Sequence, residues 1–481
     1  MITTQEKNLP IPSAPDILGS KLKLLYGTGE ISNSIKAFAF GLFLLFFYTS
    51  VMGLPGTWVG LASSIGLIWD ALIDPFIGHL SDRSRSRFGR RHSFMIIGAL
   101  VMGISFFAIF SPPAGLSNTA LFAWLIVTSI ILRTSNSVFM VPYHALGAEL
   151  SQDYHERTSV TSYRAALALF GTLIAAVSSF IVFFPEKTPG IDPKFNPPGY
   201  LAMGLVFGLV IALTGFLATF GTRIHATPPP DVHEKNEDNL SFWDSLKFSL
   251  SNRTFLILTI SAGIFFLGSV INATVAVHYL TYYAGITESR ALSIFLLSFY
   301  VGALAGVPIW LRVARKTDKK QLYFGTTIVV ALIMLASYFF IGEGHLFGTG
   351  TLLPLLGGNA AAGFFGSALW ILPASMIADV VDQDERITSR RREGAYFGVH
   401  SFFNQESASL AVLFSGILVD RFAGLIPGQV EQSAETINRL GLVFGPLPAV
   451  LLILAAFLIL GYGLNHEQVM TLQKELASRH T

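Results

Sequence analysis

The sequence predicts an all-α membrane protein with twelve transmembrane helices in two six-helix bundles. Three observations predict it. Charged residues make up only 13% of the 481-residue chain and hydrophobic ones 52%, whereas a soluble domain carries about 25% charged residues. Apolar runs of about 20 residues, enough for a helix to cross a hydrocarbon core of about 30 Å, recur along the whole chain. Several of the segments between them are rich in arginine, and three that intervene hold no Lys or Arg. The mean hydropathy of +0.57 agrees, and the 44 glycines suit helices that approach closely in lipid.

The runs lie near residues 24–50, 57–81, 93–111, 119–149, 160–184, 199–220, 254–283, 290–311, 322–341, 350–378, 395–420 and 440–464. The longest internal polar break, 221–253, holds Pro228–Pro229–Pro230 and then DVHEKNEDNL, and it splits the runs six and six. This predicts an N-terminal bundle over 1–222, a linker over 223–253, and a C-terminal bundle over 254–481 with a short tail. Arg83, Arg85, Arg87, Arg90 and Arg91 crowd one loop, Arg312, Arg315, Lys316, Lys319 and Lys320 a second, and Arg386, Arg390, Arg391 and Arg392 a third. Loops 51–56, 112–118 and 342–349 hold no Lys or Arg. Positive charge stays inside. The basic loops, the linker and both termini are therefore expected to face the cytoplasm across a bacterial-type inner membrane.

Composition also excludes. The first 20 residues lack a basic stretch followed by an apolar one, so no cleavable signal is expected. A net charge of +2 gives no basis for a nucleic-acid partner. The absence of cysteine removes disulfides and thiolate metal sites. No phosphate-binding loop, zinc motif or nucleophile elbow occurs, which argues against ATP-driven transport and against an enzyme. Six plus six spans around a cytoplasmic linker is the layout of a secondary transporter. The expected partners are the bilayer and a small-molecule substrate, with no cofactor beyond a coupling cation, and the chain is expected to act as a monomer.

The second run carries the sharpest chemistry, Trp69-Asp70-Ala71-Leu72-Ile73-Asp74-Pro75. Residues four apart share a helix face. Each Asp costs about 2.5–3.5 kcal/mol at mid-membrane, so two on one face call for a function. Close carboxylates resist double ionisation and so capture a proton or a metal cation. Asp70 and Asp74 are the expected cation site, and metal ligands if the ion is sodium. The alternative is that one Asp pairs with an Arg of a neighbouring helix. Pro75 cannot donate its amide, which leaves a carbonyl exposed in the same turn.

Other polar residues sit at mid-membrane depth in both halves: Glu30, Asn33 and Lys36; Arg133, Asn136 and His144; Arg164; Asn272 and His278; His400, Asn404, Gln405 and Glu406. A set spread over both halves predicts a central polar cavity. Arg164 offers a fixed fork of donors for vicinal hydroxyls or a carboxylate. Gln405 and Asn404 both donate and accept. Tyr26, His144 and Trp370 are expected walls of the same cavity, with Tyr143 and Phe403 as further rings on which a sugar can stack. At the cytoplasmic ends, Asp82, Arg83 and Arg90 form a tight basic turn that reads as a latch. Glu149 and Arg157 after the fourth run, and Asp379, Asp382 and Arg392 after the tenth, read as salt bridges between the bundles that hold the inside closed.

At these residues the chain resembles the glycoside–pentoside–hexuronide:cation symporters, the branch of the major facilitator superfamily that includes the melibiose permease. WDALIDPFIGHLSDRSRSRFGRR (69–91) is similar to the family's second-span signature. VPYHALGAELSQDYHERTSVTSYR (141–164) resembles its fourth-to-fifth-span signature, and MIADVVDQDE (376–385) with RREGAYFG (391–398) its tenth-to-eleventh. The resemblance implies a major facilitator fold and cation-coupled uptake of a sugar or glycoside by alternating access. It places Asp70 and Asp74 on the family's two cation-binding aspartates and Arg164 on its substrate-site arginine. It also marks departures. Ile73 stands where the sodium-using permease has an Asn, and Met140 and His144 where it has a sugar-binding aspartate and a tryptophan. Gln405 replaces its eleventh-span lysine, and its first-span sugar aspartate has no acidic match, with Asn33 or Ser34 nearby. Ile73 supplies no oxygen, which favours a proton over sodium. A lysolipid symporter is the second reading, since a vertebrate branch of the family carries lysophosphatidylcholine. A non-transporting sensor is the third, disfavoured by a tail of only NHEQVMTLQKELASRHT.

Overall fold

A backbone in lipid finds no water to bond, so a long apolar run satisfies its amides within itself and becomes a helix. The computed structural model describes residues 18–84, 86, 88–151, 153–185, 192–223, 242–388 and 392–480. It is all-α, and each expected run is helical. The first half contains α1 (Ser20–Phe46), α2 (Gly56–Asp82), α3 (His92–Ile109), α4 (Asn118–Glu149), α5 (Tyr154–Phe183) and α6 (Pro197–Thr222). A linker helix, α7 (Phe242–Ser251), precedes the second half. That half contains α8 (Arg253–His278), α9 (Ser289–Ala314), α10 (Lys319–Phe339), a tenth span broken into α11 (Leu352–Gly366) and α12 (Ala368–Thr388), α13 (Glu393–Ile417), and a twelfth span made of α14 (Ala434–Phe444) and α15 (Pro446–Ile459). A tail helix, α16 (His466–His480), follows.

Eleven spans among the described residues are long and apolar enough to cross a membrane. α2 is a further helix of 27 residues and carries Asp70, Asp74 and Asp82. Two ends differ from the hydropathy reading. The tenth span runs past residue 378 to Thr388, because its last turns carry Asp379, Asp382, Asp384 and Glu385 and are invisible to an apolar window. The twelfth begins at Ala434, where Ser433 caps an amphipathic helix by accepting from the Thr436 amide at 3.1 Å. The linker and the tail also hold helices. The Arg392 guanidinium lies 4.1 Å from the Phe248 ring of α7, and α16 buries Val469, Leu472 and Leu476.

The same device ends α1, α8 and α13. α1 ends in a π turn (Phe47–Val51) and α8 in another (Tyr279–Tyr283). Each is followed two residues later by a glycine at positive φ, Gly53 at 79° and Gly285 at 68°. Each then closes with the same bond, Leu54 N to Tyr48 O and Ile286 N to Leu280 O, both 2.8 Å. In α13 it is the π turn Leu418–Phe422, Gly424 at φ 70° and the bond from Leu425 N to Val419 O at 3.1 Å.

The described polar contacts between the halves gather at the end of the molecule that bears these turns, opposite the basic loops. Thr49 meets His278 at 2.9 Å, and the Thr57 hydroxyl donates to Asp420 at 2.5 Å. The Ser293 hydroxyl donates to Val177 O at 3.0 Å and the Ser64 hydroxyl to Ser409 O at 3.2 Å. Lys194, with no exposed surface, donates to Ile286 O at 3.0 Å. Small residues allow the approach. A Cβ on Gly56 would sit 2.7 Å from Gly416 O, and one on Gly60 2.9 Å from Leu413 O. Apolar packing follows the same line: Phe46, Phe47 and Tyr48 share one core with Tyr279, Leu280 and Tyr283. Along α2 the deepest of these polar contacts, at Ser64, lies about 12 Å from the helix start. The conformation is one that is sealed on the side opposite the basic loops.

Candidate functional site

The site grows from two facing stripes. On α1, Tyr26, Glu30, Asn33, Lys36 and Phe40 recur at three- and four-residue steps and share a face. On α4, Arg133, Asn136, Met140 and His144 do the same. The helices run antiparallel, so the stripes meet in register. His144 Nε2 lies 3.3 Å from Glu30 Oε1, Lys36 Nζ donates to Asn136 Oδ1 at 2.7 Å, and the Arg133 guanidinium lies 5.4 Å from the Phe40 ring.

Glu30 is the centre of the upper cluster. Its carboxylate takes Arg164 Nε of α5 at 3.1 Å as well as His144, and Asn33 Nδ2 donates to its other oxygen at 3.4 Å. The Glu30 side chain is 10% exposed, against 31% for Arg164 and 49% for His144. The acid is therefore sunk beneath two donors that remain reachable. Arg164 finds its partner in Glu30, whereas Glu149 is taken by Arg90 and Arg91.

The lower cluster holds the carboxylate pair. Asp70 and Asp74 lie one turn apart on α2. Asp70 Oδ2 accepts from Arg133 Nη1 at 2.5 Å. The Oδ1 atoms of Asp70 and Asp74 are both buried with no hydrogen-bond partner among the described residues, and so is Arg133 Nε. Asp74 lies beside Ser137 of α4. The alternative weighed for the pair, an Arg on a neighbouring helix, thus applies to Asp70 and leaves Asp74 apart from it. Arg133 belongs to the site, as do Glu30 and Lys36. The i, i+3, i+4 recurrence of polar residues inside two apolar runs was the signal that could have linked them.

In the second half, Gln405 is exposed and continues the stripe of α13 through which Ser409, Leu413 and Gly416 meet α2. It therefore sits one turn beyond the sealed seam. Asn404 Nδ2 lies 3.0 Å from His400 Nε2. Trp370 is exposed, with its ring 6.1 Å from that of Phe299. Tyr26 needs correcting as a cavity wall. It is 1% exposed and stacks on Tyr143 with ring centroids 4.5 Å apart. Each tyrosine hydroxyl donates to the other residue's carbonyl, at 3.1 and 3.0 Å. A Cβ on Gly29 would come within 2.6 Å of the Tyr143 ring, so the glycine makes room for this lock between α1 and α4.

The expected gating residues make other contacts in this conformation. Glu149 accepts from both Arg90 and Arg91 at 2.6 Å, within the first half. Arg157 Nε donates to Ser151 O at 2.7 Å, again within that half. Asp379 is held by Lys319 at 2.6 Å within the second half, and Arg392 lies over the linker helix. Asp382 is half-buried one turn along α12, Arg83 is exposed at the end of α2, and the Asp82 side chain lies outside the described residues. The contacts of Glu149, Arg157, Asp379 and Arg392 do not bridge the bundles. The halves meet at the opposite end in this conformation, so charged groups at the basic end find partners within their own half or on the linker.

Buried charged clusters between membrane helices, beside a seam sealed at one end, define a polytopic membrane transporter. The family model described as MFS/sugar transport protein matches residues 25–466, and the chain belongs to that family. It is 26% identical to the inner membrane symporter YicJ of Escherichia coli, over 96% of each chain. It is also 26% identical to an uncharacterized symporter of Synechocystis, over 95% of this chain and 96% of the other. The sodium-dependent lysophosphatidylcholine symporter 1 of Xenopus tropicalis is 24% identical over 93% of this chain and 87% of its own. Among solved structures, a bacterial homologue of the lysosomal transporter Spinster, inward-facing and unoccupied, superposes with a TM-score of 0.68 at 13% identity. That match covers 92% of this chain and 96% of the other. The nucleoside transporter NupG gives 0.60 at 14%, over 92% and 99%. Likeness at that identity shows the major facilitator fold.

Proposed function

We propose that this protein is a cation-coupled symporter of a neutral sugar or glycoside, working by alternating access, in the glycoside–pentoside–hexuronide branch of its family. The observation that carries the substrate class is the Glu30–Arg164–His144 cluster. Its arginine is already neutralised by Glu30 yet remains reachable. Such a cluster offers a hydroxyl-bearing ligand a fork of donors and a carboxylate acceptor with no net charge to match. A lysolipid headgroup or a uronate brings an anion that would compete with Glu30 for the guanidinium. Gln405 supplies an amide from the second half, and a ligand held between the two draws the bundles together. Asp70 and Asp74 take the coupling ion. The bundles are 1–222 and 254–481, joined by the linker 223–253. Basic loops and both termini face the cytoplasm of an inner membrane, so the conformation described is inward-facing, and the monomer is the working unit.

The test is uptake into proteoliposomes from a panel of labelled glycosides, with lysophosphatidylcholine as a further arm, under imposed proton or sodium gradients. Accumulation of a neutral glycoside is expected. Accumulation of the lysolipid alone would overturn the substrate class. Arg164→Lys keeps the ion pair to Glu30 but loses the fork, so apparent affinity is expected to fall about tenfold. Gln405→Ala is expected to weaken it a few-fold. Unchanged affinity in both variants would move the substrate elsewhere.

A further inference from the structure

We propose that Arg133 acts as a tethered cation at Asp70, occupying the place a metal ion would take, and thereby excludes sodium from the carboxylate pair. This rests on the reading of Asp70 and Asp74 as the coupling-ion site and names the residue that sets its ion selectivity.

The arginine sits in a built slot. Its Nη1 donates to Asp70 Oδ2 at 2.5 Å, and its guanidinium lies 5.4 Å from the Phe40 ring on the other side. The slot exists because residue 66, one turn before Asp70 on α2, is glycine. A Cβ there would fall 2.7 Å from Arg133 Cδ and 2.8 Å from its Nε. The arginine is 16% exposed and Asp70 10%, so the pair is largely withdrawn from water. An ion pair in such surroundings is costly to break, because either charge left alone is poorly solvated.

The pairing changes what the site offers a metal. Sodium needs several oxygen ligands and a compensating negative charge. Asp70 now brings one free oxygen, Asp74 its carboxylate with the Ser137 hydroxyl beside it, and Ile73 nothing between them. Lys36, bonded to Asn136 one turn along α4 from Arg133, adds a second positive charge to the same region. Two carboxylates are then balanced by two fixed cations, and an incoming sodium ion would add unmatched charge where screening is weak. Removing Arg133 leaves two carboxylates against one lysine and opens both oxygens of Asp70.

Trp69 is a local reporter, since it neighbours Asp70 and its indole donates to Thr134 at 2.9 Å. Tryptophan fluorescence of the purified full chain in detergent, titrated with sodium chloride against choline chloride, reads the site without any transport assay. Arg133→Gln and Arg133→Gly are compared with the parent, and each is first checked for a monodisperse, helical state. A parent with no sodium-specific response is expected, with a saturable response in at least one variant that reflects an affinity gain of about tenfold or more. Adding Asp74→Asn to that variant is expected to remove it. A saturable sodium response in the parent overturns the proposal, and so does its absence from both well-folded variants. Failure of glycoside uptake in proteoliposomes would instead refute the transport reading and leave this result standing.

Discussion

Asp74→Asn is expected to abolish uphill accumulation of substrate, a loss of about a hundredfold or more in the gradient-driven steady state, while substrate exchange down its own gradient survives. Asp74 is the cleaner of the two carboxylates to change. Its Oδ1 is buried without a partner among the described residues, so the amide breaks no ion pair. Asp70→Asn would instead strand the Arg133 guanidinium, and breaking a buried pair costs about 3–5 kcal/mol of stability. Loss of transport in that variant would therefore mix unfolding with uncoupling. The measurement is labelled-substrate accumulation in proteoliposomes with an imposed ion gradient, beside counterflow in the same preparation. Undiminished accumulation in Asp74→Asn would remove the carboxylate pair from the mechanism.

Gly416→Val is expected to hold the seam open and cut turnover at least tenfold, because backbone stands against backbone there. A Cβ on Gly416 would overlap the Gly56 carbonyl oxygen and lie 3.0 Å from both Cα and N of Gly60. Neither helix has a flexible side chain to move aside, so the halves must part. The natural chain has no cysteine, which allows a direct reading. Thr57 and Asp420 face each other across the seam at 2.5 Å. A cysteine pair at those two positions is expected to cross-link in the parent and to lose that cross-link when Gly416→Val is added. Retained cross-linking with normal uptake would mean the seam tolerates the methyl groups.

What could be read from the chain alone follows the physics of lipid. Twelve spans were legible because a bilayer forces every long apolar run into a helix. The end of the tenth at Thr388 was not, because Asp379, Asp382 and Asp384 look like a loop to any hydropathy window. Asp70 and Asp74 stood out because spacing on one helix is written in the sequence. The partner of Asp70 was not legible, since the register of α2 against α4 depends on Gly66, whose small size matters only once the helices are docked. Glu30 shows the same limit. It was visible as a mid-membrane acid, but its hold on Arg164 needs three helices. The cytoplasmic salt bridges were expected for a state closed at the basic end, and the structure is closed at the other. A transporter visits several states, and Glu149 or Asp379 pairs within its own half in the one seen here.

The balance of charge in the first half has an electrical consequence. Three acids, Glu30, Asp70 and Asp74, lie at membrane depth with three fixed cations, Lys36, Arg133 and Arg164. With His144 neutral they sum to zero. Moving one elementary charge across 100 mV is worth about 2.3 kcal/mol. A half whose own charges cancel takes almost none of that energy as it rocks from one side to the other empty. The membrane potential then acts on this half only while a coupling ion is aboard. Voltage is accordingly expected to pull on the first half during the loaded passage and to leave it alone on the empty return.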